Sequence, residues 1–364
     1  MEHVNGDKIS MTTTMSSTQP RRLVLGIDTH QRTHHAALLD LDGTPVADAE
    51  FPANEPGYTA LIDWAGSHGE ITVAGVESTG SYGAGVTRRL LVEGWDLREV
   101  NRPDIRTRAA VGKSDPIDAA SAARAALSGA ATARPKVTTG VVESVRVLLV
   151  TRDSAVRHRT AAGLQLRDLI TTAPAELHDK LIGMTTRQRV VACVKLRPDL
   201  TRLADPAQAV KVALRALAHR IQELDAEIKD ADRILDTLVA DTVPTLITHR
   251  QIGTITAAQL LVTAGQNLDR MRSEASFAKL TGTAPIPASS GKTRRFRLNR
   301  GGDRQANKAL HIIAVGRLRS DPVTRDYAAR RLTEGLGKLD ILRCLKRAIA
   351  REVFGALRTD LLKA

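Results

Sequence analysis

The sequence contains little cysteine, few aromatic residues and no long apolar run. Its two cysteines, Cys193 and Cys344, lie far apart and lack the spacing of metal ligands, which argues against a disulfide framework and indicates a reducing interior. Aromatic residues make up 2% of the chain, so aromatic stacking is not expected to dominate binding to a nucleic acid. No apolar run is long enough to cross a bilayer, and no membrane span is predicted.

Acidic residues are also scarce relative to basic ones. The 364 residues include 53 Lys and Arg against 40 Asp and Glu, which gives a net charge of +13. This balance favours a polyanionic partner, above all a nucleic acid contacted through its phosphates. A merely basic soluble enzyme is the alternative. The hydrophobic content of 42% is enough for real cores, and the length suggests about two to three domains.

Changes in composition divide the chain into four segments. Residues 1–20 are rich in Ser, Thr and Met without the apolar core of a signal peptide, and we expect a disordered leader there. Residues 21–136 combine strand and helix patterns, residues 137–240 are helical, and residues 241–364 are mainly helical. The predicted fold class is therefore an α/β N-terminal domain, a helical coiled-coil middle and a mainly α C-terminal domain.

The N-terminal domain begins with three strand patterns. The apolar run that starts at Leu23 ends at Asp28, and the next two patterns meet at Asp42-Gly43, which predicts a hairpin turn. A helix pattern, a buried strand ending at Glu77, a second helix and a fifth strand follow. Three antiparallel strands, helix, strand, helix and strand is the order of elements in ribonuclease H.

Four acids of this domain are candidate metal ligands: Asp28, Glu77, Asp115 and Asp118. Asp28 and Glu77 end buried strands, where an acid is costly unless another charge compensates it. Asp115 and Asp118 are three residues apart and share one face of a helix that begins near Pro116. If the strands are neighbours, the four carboxylates can bind two Mg²⁺ ions for phosphoryl transfer. The alternatives are a helix N-cap for Asp115 and a turn residue for Asp28.

Three histidines follow the first strand: His30, His34 and His35. They can be read as metal ligands, but a carboxylate site for Mg²⁺ does not require them. We interpret them as residues that contact phosphate or pack within the domain.

Two long helical patterns form the middle of the chain. The first is interrupted by Arg152 and Arg159. The second is apolar at every step of four or three, which predicts a heptad seam: Val210, Leu214, Leu217, Ile221, Leu224, Ile228, Ala231, Leu235 and Leu238. The seam can close a hairpin within one chain or join subunits, and we expect it to be used at least partly between subunits. The connection at 174–206 is predicted to be loop-rich and to face nucleic acid.

A basic cluster dominates the C-terminal domain. Only Asp303 opposes its seven basic residues, which are Lys292, Arg294, Arg295, Arg297, Arg300, Arg304 and Lys308. Arginine side chains suit bidentate binding of phosphate. Ser289 and Ser290 precede the cluster in a loop bounded by proline and glycine. A serine hydroxyl is a weak nucleophile until it is activated, so a plain loop is the alternative here.

Two further stretches are candidates for nucleic-acid contact. The turn Gln251-Ile252-Gly253 resembles a helix-hairpin-helix element, whose backbone N–H groups can face phosphates, but Gln251 replaces its usual first glycine. A packing role is the alternative. Residues 343–351 form a basic amphipathic pattern, interpreted as a helix that lies on nucleic acid or on the first domain.

Four motifs together resemble a known family. GIDTH at 26–30, GVESTGSY at 75–82, KSDPIDA at 113–119 and ASSGKTRRFRLNRGGDRQANKALH at 288–311 resemble the transposases of the IS110 and IS1111 insertion-sequence group. The resemblance implies an RNase H-like N-terminal domain similar to the Holliday-junction resolvase RuvC, with the family's four acids at Asp28, Glu77, Asp115 and Asp118. It also implies a nucleophilic serine in the Ser-Gly step, which matches Ser290, with Ser289 in reserve.

The resemblance implies a DNA transposase or recombinase that cuts and rejoins strands through covalent serine–DNA links, assisted by Mg²⁺. The partners it implies are target and donor DNA, a structured non-coding guide RNA called bridge RNA, and further copies of the chain in dimers and a tetrameric synapse. We expect a bacterial cytoplasmic location. Two other functions stay open: a RuvC-like junction nuclease that uses metal-activated water, and a non-catalytic nucleic-acid-binding scaffold. The four acids and the Ser-Gly step argue against the scaffold.

Overall fold

The computed structural model describes a chain that divides into two compact units, Met1–Lys136 and Val137–Ala364. The described residues are 20–100, 114–271, 273–289, 291 and 296–362. The leader expected at residues 1–20 lies outside this range except for Pro20.

The first unit is built on a mixed five-stranded sheet. Its strands are β1 (Arg22–Thr29), β2 (Thr33–Asp40), β3 (Pro45–Pro52), β4 (Glu70–Glu77) and β5 (Leu97–Val100), and its helices are α1 (Glu55–His68), α2 (Ala84–Val92) and α3 (Asp115–Leu127). The strand order is β3-β2-β1-β4-β5. The pairs β1–β2 and β2–β3 are antiparallel, whereas β1–β4 and β4–β5 are parallel. The α/β organisation predicted for this segment is confirmed.

Short-range contacts define the turn and the helix start that the sequence predicts. Gly43 adopts a left-handed φ of 87°, and the backbone N–H of Asp40 donates to the carbonyl oxygen of Thr44 at 2.9 Å, which closes the β2–β3 hairpin. Asn54 caps α1 by accepting a hydrogen bond from the N–H of Gly57 at 3.0 Å. The hairpin turn predicted at Asp42-Gly43 is confirmed.

The two faces of the sheet are packed differently. Leu23, Leu25 and Ile27 alternate onto one face and form a core of large side chains with α1 and α2. Val24 lies on the other face, where α3 contributes small residues such as Ala123. The small side chains of this second layer allow α3 to approach the strands closely.

The second unit is mainly helical, as predicted. Its helices are α4 (Gly140–Thr171), α5 (Ala175–Leu181), α6 (Thr186–Val194), α7 (Pro206–Thr242), α8 (Pro244–Thr248), α9 (Thr254–Ala264), α10 (Glu274–Leu280), α11 (Arg304–Ser320), α12 (Pro322–Thr333) and α13 (Lys338–Leu361). A short hairpin of β6 (Ile286–Pro287) and β7 (Phe296–Arg297) lies between α10 and α11. One core joins α4 and α7 to the C-terminal helices, and the boundary predicted at residue 240 falls inside α7. No described helix is long and apolar enough to span a bilayer.

The helices α4 and α7 pack as an antiparallel hairpin. Arg152 on α4 pairs with Asp232 on α7, and Arg159 Nε lies 2.8 Å from Asp225 Oδ1, so residue numbers run in opposite directions along the two helices. The two arginines that interrupt the first helical pattern therefore form interhelical ion pairs.

The apolar seam of α7 is partly buried within the chain: Leu214, Ile221, Ala231 and Leu235 are buried, and the other five seam residues are half-buried. Leu214, Ile221 and Leu235 have no exposed surface. The structure thus uses the seam for the intramolecular hairpin, which is the alternative that the sequence left open. A further use of the seam between subunits stays a prediction.

The connection at 174–206 contains two helices, so the prediction of a loop-rich segment is wrong. Leu181 of α5 and Cys193 of α6 pack in one cluster with Leu214 of α7. The apolar patterns of α5 and α6 cover only about two turns each, which is too short for a helical period to stand out. Arg187 and Lys195 are exposed, so a contact of this segment with nucleic acid stays open.

We predict that Ile221→Ala lowers the free energy of unfolding by about 2–5 kcal/mol, because it leaves a cavity at a fully buried position of the hairpin. Ile234→Ala is the matched control on the same helix, since Ile234 is 43% exposed, and it should change stability by less than about 0.5 kcal/mol. Urea unfolding of both variants checks this. Equal losses would contradict the seam described above.

Candidate functional site

Two glycines on neighbouring strands allow α3 to contact the sheet. A Cβ atom on Gly26 of β1 would lie 2.0 Å from the carbonyl oxygen of Ala119, and one on Gly75 of β4 would lie 2.3 Å from that of Ala122. A closely packed interior cannot absorb such overlaps without moving the helix backbone. Gly26 and Gly75 are partners in the β1–β4 ladder, so α3 crosses both strands at the same level.

The acids Asp28 and Glu77 lie two residues beyond these glycines. Because side chains alternate along a strand, both acids lie on the face of the sheet that α3 covers. The parallel ladder pairs Ile27 with Val76, which places the two acids side by side at the carboxyl ends of β1 and β4. Both are buried, and the Thr29 hydroxyl donates to the backbone oxygen of Glu77 at 3.1 Å.

The first turn of α3 carries the other two predicted acids. Ser114 occupies the N-cap position, so Asp115 begins the helix and the alternative of Asp115 as N-cap is wrong. The side chain of Asp115 is 45% exposed, whereas Asp118 is buried. Negative charge is favourable near a helix N-terminus, which suits two acids in this turn.

Asp28, His30 and Asp115 form a compact group of potential ligand atoms. One side-chain donor atom from each residue lies within 4.8 Å of the others. His30 Nε2 is 3.9 Å from Asp28 Oδ2, and His30 Nδ1 is 4.0 Å from Asp115 Oδ2. Two carboxylates and an imidazole directed at one region are compatible with a divalent metal ion.

Burial raises the pKa of Asp28 above its ordinary value. The electrostatic interaction with His30 opposes this shift, whereas the negative charges of Asp118 and Asp115 add to it. An ionised Asp28 is therefore destabilised by its surroundings unless a cation compensates the charge. A divalent ion would supply that compensation, so the donor set fits a metal on electrostatic grounds as well as by its chemistry.

The structure brings the predicted acids close to one another and adds one histidine to the group of potential metal ligands. Asp28 and Asp115 share the compact group, Asp118 is close enough to raise the pKa of Asp28, and Glu77 ends the adjacent strand. His30, which the sequence interpretation set aside as a ligand, also belongs to the group. The available indication was its spacing, because a residue two positions after a strand-end acid tends to lie on the same side of the chain.

The other two histidines contact protein groups of the first unit: His35 makes a polar contact, and His34 packs, as expected. His35 Nε2 lies 2.7 Å from Asp48 Oδ2. His34 is fully buried, and its ring stacks on that of Tyr58 with centroids 5.7 Å apart. Burial lowers the pKa of His34, which favours the neutral ring.

The predicted serine loop belongs to the small hairpin of the second unit. Ser289 follows β6 and is exposed, and Gly291 adopts a left-handed φ of 53°. Ser290 lies outside the described residues, as do Lys292, Arg294 and Arg295. The structure therefore describes residues on either side of Ser290, and the prediction for Ser290 itself stays untested.

The described members of the basic cluster are all exposed: Arg297, Arg300, Arg304 and Lys308. Asp303, the single acid among them, accepts hydrogen bonds from the backbone N–H groups of Gln305 and Ala306 and from the hydroxyl of Thr263. Its carboxylate therefore caps α11. Because this acid is engaged in the fold, the cations beside it keep an outward-facing positive surface.

The turn between α8 and α9 retains its shape without its usual glycine. Gln251 adopts a left-handed φ of 64°, a conformation that glycine reaches most easily. Its side-chain amide donates to the hydroxyl of Ser320 at 2.9 Å. This bond ties the turn to α11, which gives it a packing role, and phosphate contact at the turn stays a prediction.

Most cations of residues 343–351 contact protein groups. Arg347 makes two hydrogen bonds to Glu274, at 2.7 and 2.8 Å, and Arg351 makes a third at 3.3 Å. The bonds from Arg347, more than those from Arg351, lower the pKa of Glu274 to about 2. Lys346 is buried and donates to Asn307 Oδ1 at 2.9 Å. These contacts hold α13 against α10 and α11, so the interpretation of this helix as a nucleic-acid contact loses its main support.

We predict that Gly26→Ala displaces α3 and separates its acids from Asp28. Stability should fall by about 1–3 kcal/mol or more, and binding of Mn²⁺ by the full-length protein, measured by calorimetry, should weaken. Gly66→Ala on α1 is the control, because open space surrounds that position and alanine favours a helix. A Gly26→Ala protein as stable as the wild type, with unchanged Mn²⁺ binding, would show that close packing does not form the site.

Comparisons with known proteins agree with these motifs. A family model for the DEDD transposase of IS110 matches residues 25–173, and the model of the transposase IS116/IS110/IS902 family matches residues 244–329. The chain is 25% identical to the insertion element IS110 43.6 kDa protein of Streptomyces coelicolor, over 94% of this chain and 96% of that protein. It is 26% identical to the insertion element IS900 42 kDa protein of Mycobacterium paratuberculosis, over 42% of this chain and 39% of that protein. The two family models together cover more than half of the sequence, and the chain belongs to the IS110 family of insertion-element transposases.

Proposed function

We propose that this transposase cleaves and exchanges DNA strands with Mg²⁺ held by Asp28, Glu77, Asp115 and Asp118, and with Ser290 as the nucleophile. The observation that carries the proposal is the convergence of Asp28 with the acids of α3 at the end of a buried strand. Carboxylates in such a position favour a hard divalent cation, which is the usual assistant of phosphoryl transfer.

We further propose that the first unit has an RNase H-like fold of the RuvC type. Three antiparallel strands followed by two parallel ones, in the order β3-β2-β1-β4-β5, support this assignment. The acids of that fold class would then lie on β1, β4 and α3, where Asp28, Glu77 and Asp118 are found.

The residues of the acid site differ in exposure, and we assign them different roles accordingly. Asp28, Glu77 and Asp118 are buried and form the base of the site. The side chains of His30 and Asp115 are each 45% exposed, so they can approach a phosphate from solvent. Mg²⁺ at these carboxylates would supply positive charge that stabilises the negative charge building on a phosphate during transfer.

The serine would keep the energy of the broken phosphodiester bond in a covalent link. A bond forms between Ser290 Oγ and phosphorus while the bond from phosphorus to the leaving sugar oxygen breaks. The serine proton passes to a base, and the leaving oxygen takes up a proton. A second sugar hydroxyl can reverse these steps and join a new strand. Arg294, Arg295 or Arg297 would stabilise charge on the phosphoryl oxygens.

The partners proposed for this reaction follow from the family. They are target and donor DNA, a bridge RNA that pairs with both, and further copies of the chain in a dimer and a tetrameric synapse. The exposed cations of the basic cluster support a polyanionic partner.

A metal-dependent junction nuclease is the second candidate function. Asp28, Glu77, Asp115 and Asp118 all lie in the first unit, so hydrolysis by metal-activated water would need no residue of the second. The two candidates differ in whether a covalent protein–DNA intermediate forms.

We predict that Asp28→Asn abolishes recombination without unfolding the protein. Because the pKa of Asp28 is raised, its contribution to stability falls as pH increases from the ordinary carboxyl range through the raised value, and at pH 7 the wild type carries that penalty. The variant should therefore melt at the same temperature or higher in a chelator. Saturating Mg²⁺ at about 100 times its Kd should stabilise only the wild type, by about 2.7 kcal/mol.

Asp63→Asn is the matched control for this experiment, since Asp63 is an exposed acid on α1 of the same unit. It should retain both recombination and the stabilisation by Mg²⁺. Full recombination by Asp28→Asn, or by the wild type in excess chelator, would exclude the proposed metal site.

We predict that Ser290→Ala binds DNA normally but forms no protein–DNA adduct. The wild type is incubated with labelled target and donor DNA and with the RNA that copurifies with it, then denatured and digested to locate the adduct. Ser289→Ala is the control and should retain the adduct. An adduct at Ser289 alone would move the role by one residue, and recombination by the double alanine variant would favour the nuclease.

A further inference from the structure

Two aromatic side chains are exposed in a chain that has few of them. The sequence contains four phenylalanines, three tyrosines and two tryptophans, and all nine lie within the described residues. Tyr82 is 55% exposed and Phe296 is 58% exposed, whereas the other seven are buried or half-buried. One exposed ring lies in each unit, and each follows a residue proposed for the reaction within six positions.

Tyr82 is carried by a fixed turn at the edge of the acid site. The turn joins β4 to α2, and Tyr82 lies five residues after Glu77. Ser78 adopts a left-handed φ of 51°, and its carbonyl oxygen accepts hydrogen bonds from the N–H groups of Ser81 and Gly83, at 2.9 and 3.1 Å. A Cβ atom on Gly83 would lie 2.6 Å from the carbonyl oxygen of Glu77. The turn therefore folds back on the end of β4 and holds the ring outward there.

Phe296 is carried by the hairpin that contains the serine loop. It pairs with Pro287 across β6 and β7 and lies six residues after Ser290. Leu298, two residues further on, is 47% exposed, so the apolar side chains alternate with Arg297. Arg297 and Arg300, both exposed, follow the ring within four residues, so this stretch combines an exposed aromatic ring with positive charge.

We propose that Tyr82 and Phe296 each stack on an unpaired DNA base next to the phosphate that reacts, an inference that rests on the proposed function. Every base offers a flat π face, so stacking needs no particular sequence. The surrounding cations suit the phosphates on either side of a base held by Phe296. Tyr82 lies in the turn that follows Glu77, one of the proposed metal ligands. An exposed apolar side chain is not by itself a stacking site: Val92 is 81% exposed but lies at the other end of α2.

The test uses the full-length protein and a single-stranded DNA oligonucleotide of mixed sequence that contains 2-aminopurine, whose emission falls when it stacks. Tyr82→Ala and Phe296→Ala should each weaken binding by about 5- to 150-fold and reduce the quenching of 2-aminopurine. Tyr82→Phe and Phe296→Tyr should restore both readouts. Val92→Ala, which removes a more exposed apolar side chain, should change neither.

Binding to the same sequence as a fully paired duplex separates stacking from misfolding, because phosphate contacts carry that binding and it should stay constant in all variants. Unchanged single-strand affinity in both alanine variants, an equal loss for the duplex, or a loss seen only with the RNA version of the oligonucleotide would overturn the inference. Failure of the wild type to form a serine adduct would overturn the proposed function instead, and the stacking measurements would stand.

Discussion

The acid site depends on the absence of two Cβ atoms. Gly26 and Gly75 let the backbone of α3 lie directly against β1 and β4, and the first turn of α3 carries Asp115, which groups with Asp28. The close approach brings carboxylates together in a buried place, where burial, with a smaller contribution from the neighbouring acids, raises the pKa of Asp28. The rest of the unit supports this arrangement: large side chains on the other face of the sheet anchor the strands, so the small residues near α3 are free to set the distance.

The basic residues of the chain have two roles: some form ion pairs within the fold, and others face outward. Arg152 and Arg159 join α4 to α7, and Arg347 joins α13 to α10, each through an acid of the partner helix. Such pairs contribute little to stability individually, but they fix the alignment of helices whose apolar contacts alone allow sliding. Outward-facing cations lie on many of the described elements, among them Arg187, Arg220 and Arg233. One group of them lies on and after the β6–β7 hairpin, where Asp303 caps α11. The net charge therefore predicts the class of partner, a polyanion. The fold determines which cations are free to contact that partner.

Sequence patterns predicted elements better than the relations between them. The strands of the first unit, the Asp42-Gly43 turn and the grouping of Asp28 with the acids of α3 followed from local rules. A heptad pattern has no information about whether its partner helix belongs to the same chain, and Arg152 and Arg159 could be explained only once Asp232 and Asp225 were seen opposite them. His30 was missed because a carboxylate site does not require it. The same spacing of glycine and acid occurs at Gly26-Ile27-Asp28 and Gly75-Val76-Glu77, and it is the local signal in the sequence for the close approach of α3.

The described surfaces also bear on how a DNA site would be chosen. Exposed arginine and lysine side chains can bind phosphates. Such contacts position a protein on nucleic acid but carry no sequence information directly. Aromatic side chains that stack on bases are equally tolerant of sequence. A transposase with such surfaces gains affinity without selectivity, so selectivity must come from base readout elsewhere or from base pairing by a nucleic acid partner. If a guide RNA selects the sequence, as proposed, the protein needs only to bind nucleic-acid backbones and to react at a phosphate. Its acids, serine and cations are chemically suited to these two tasks.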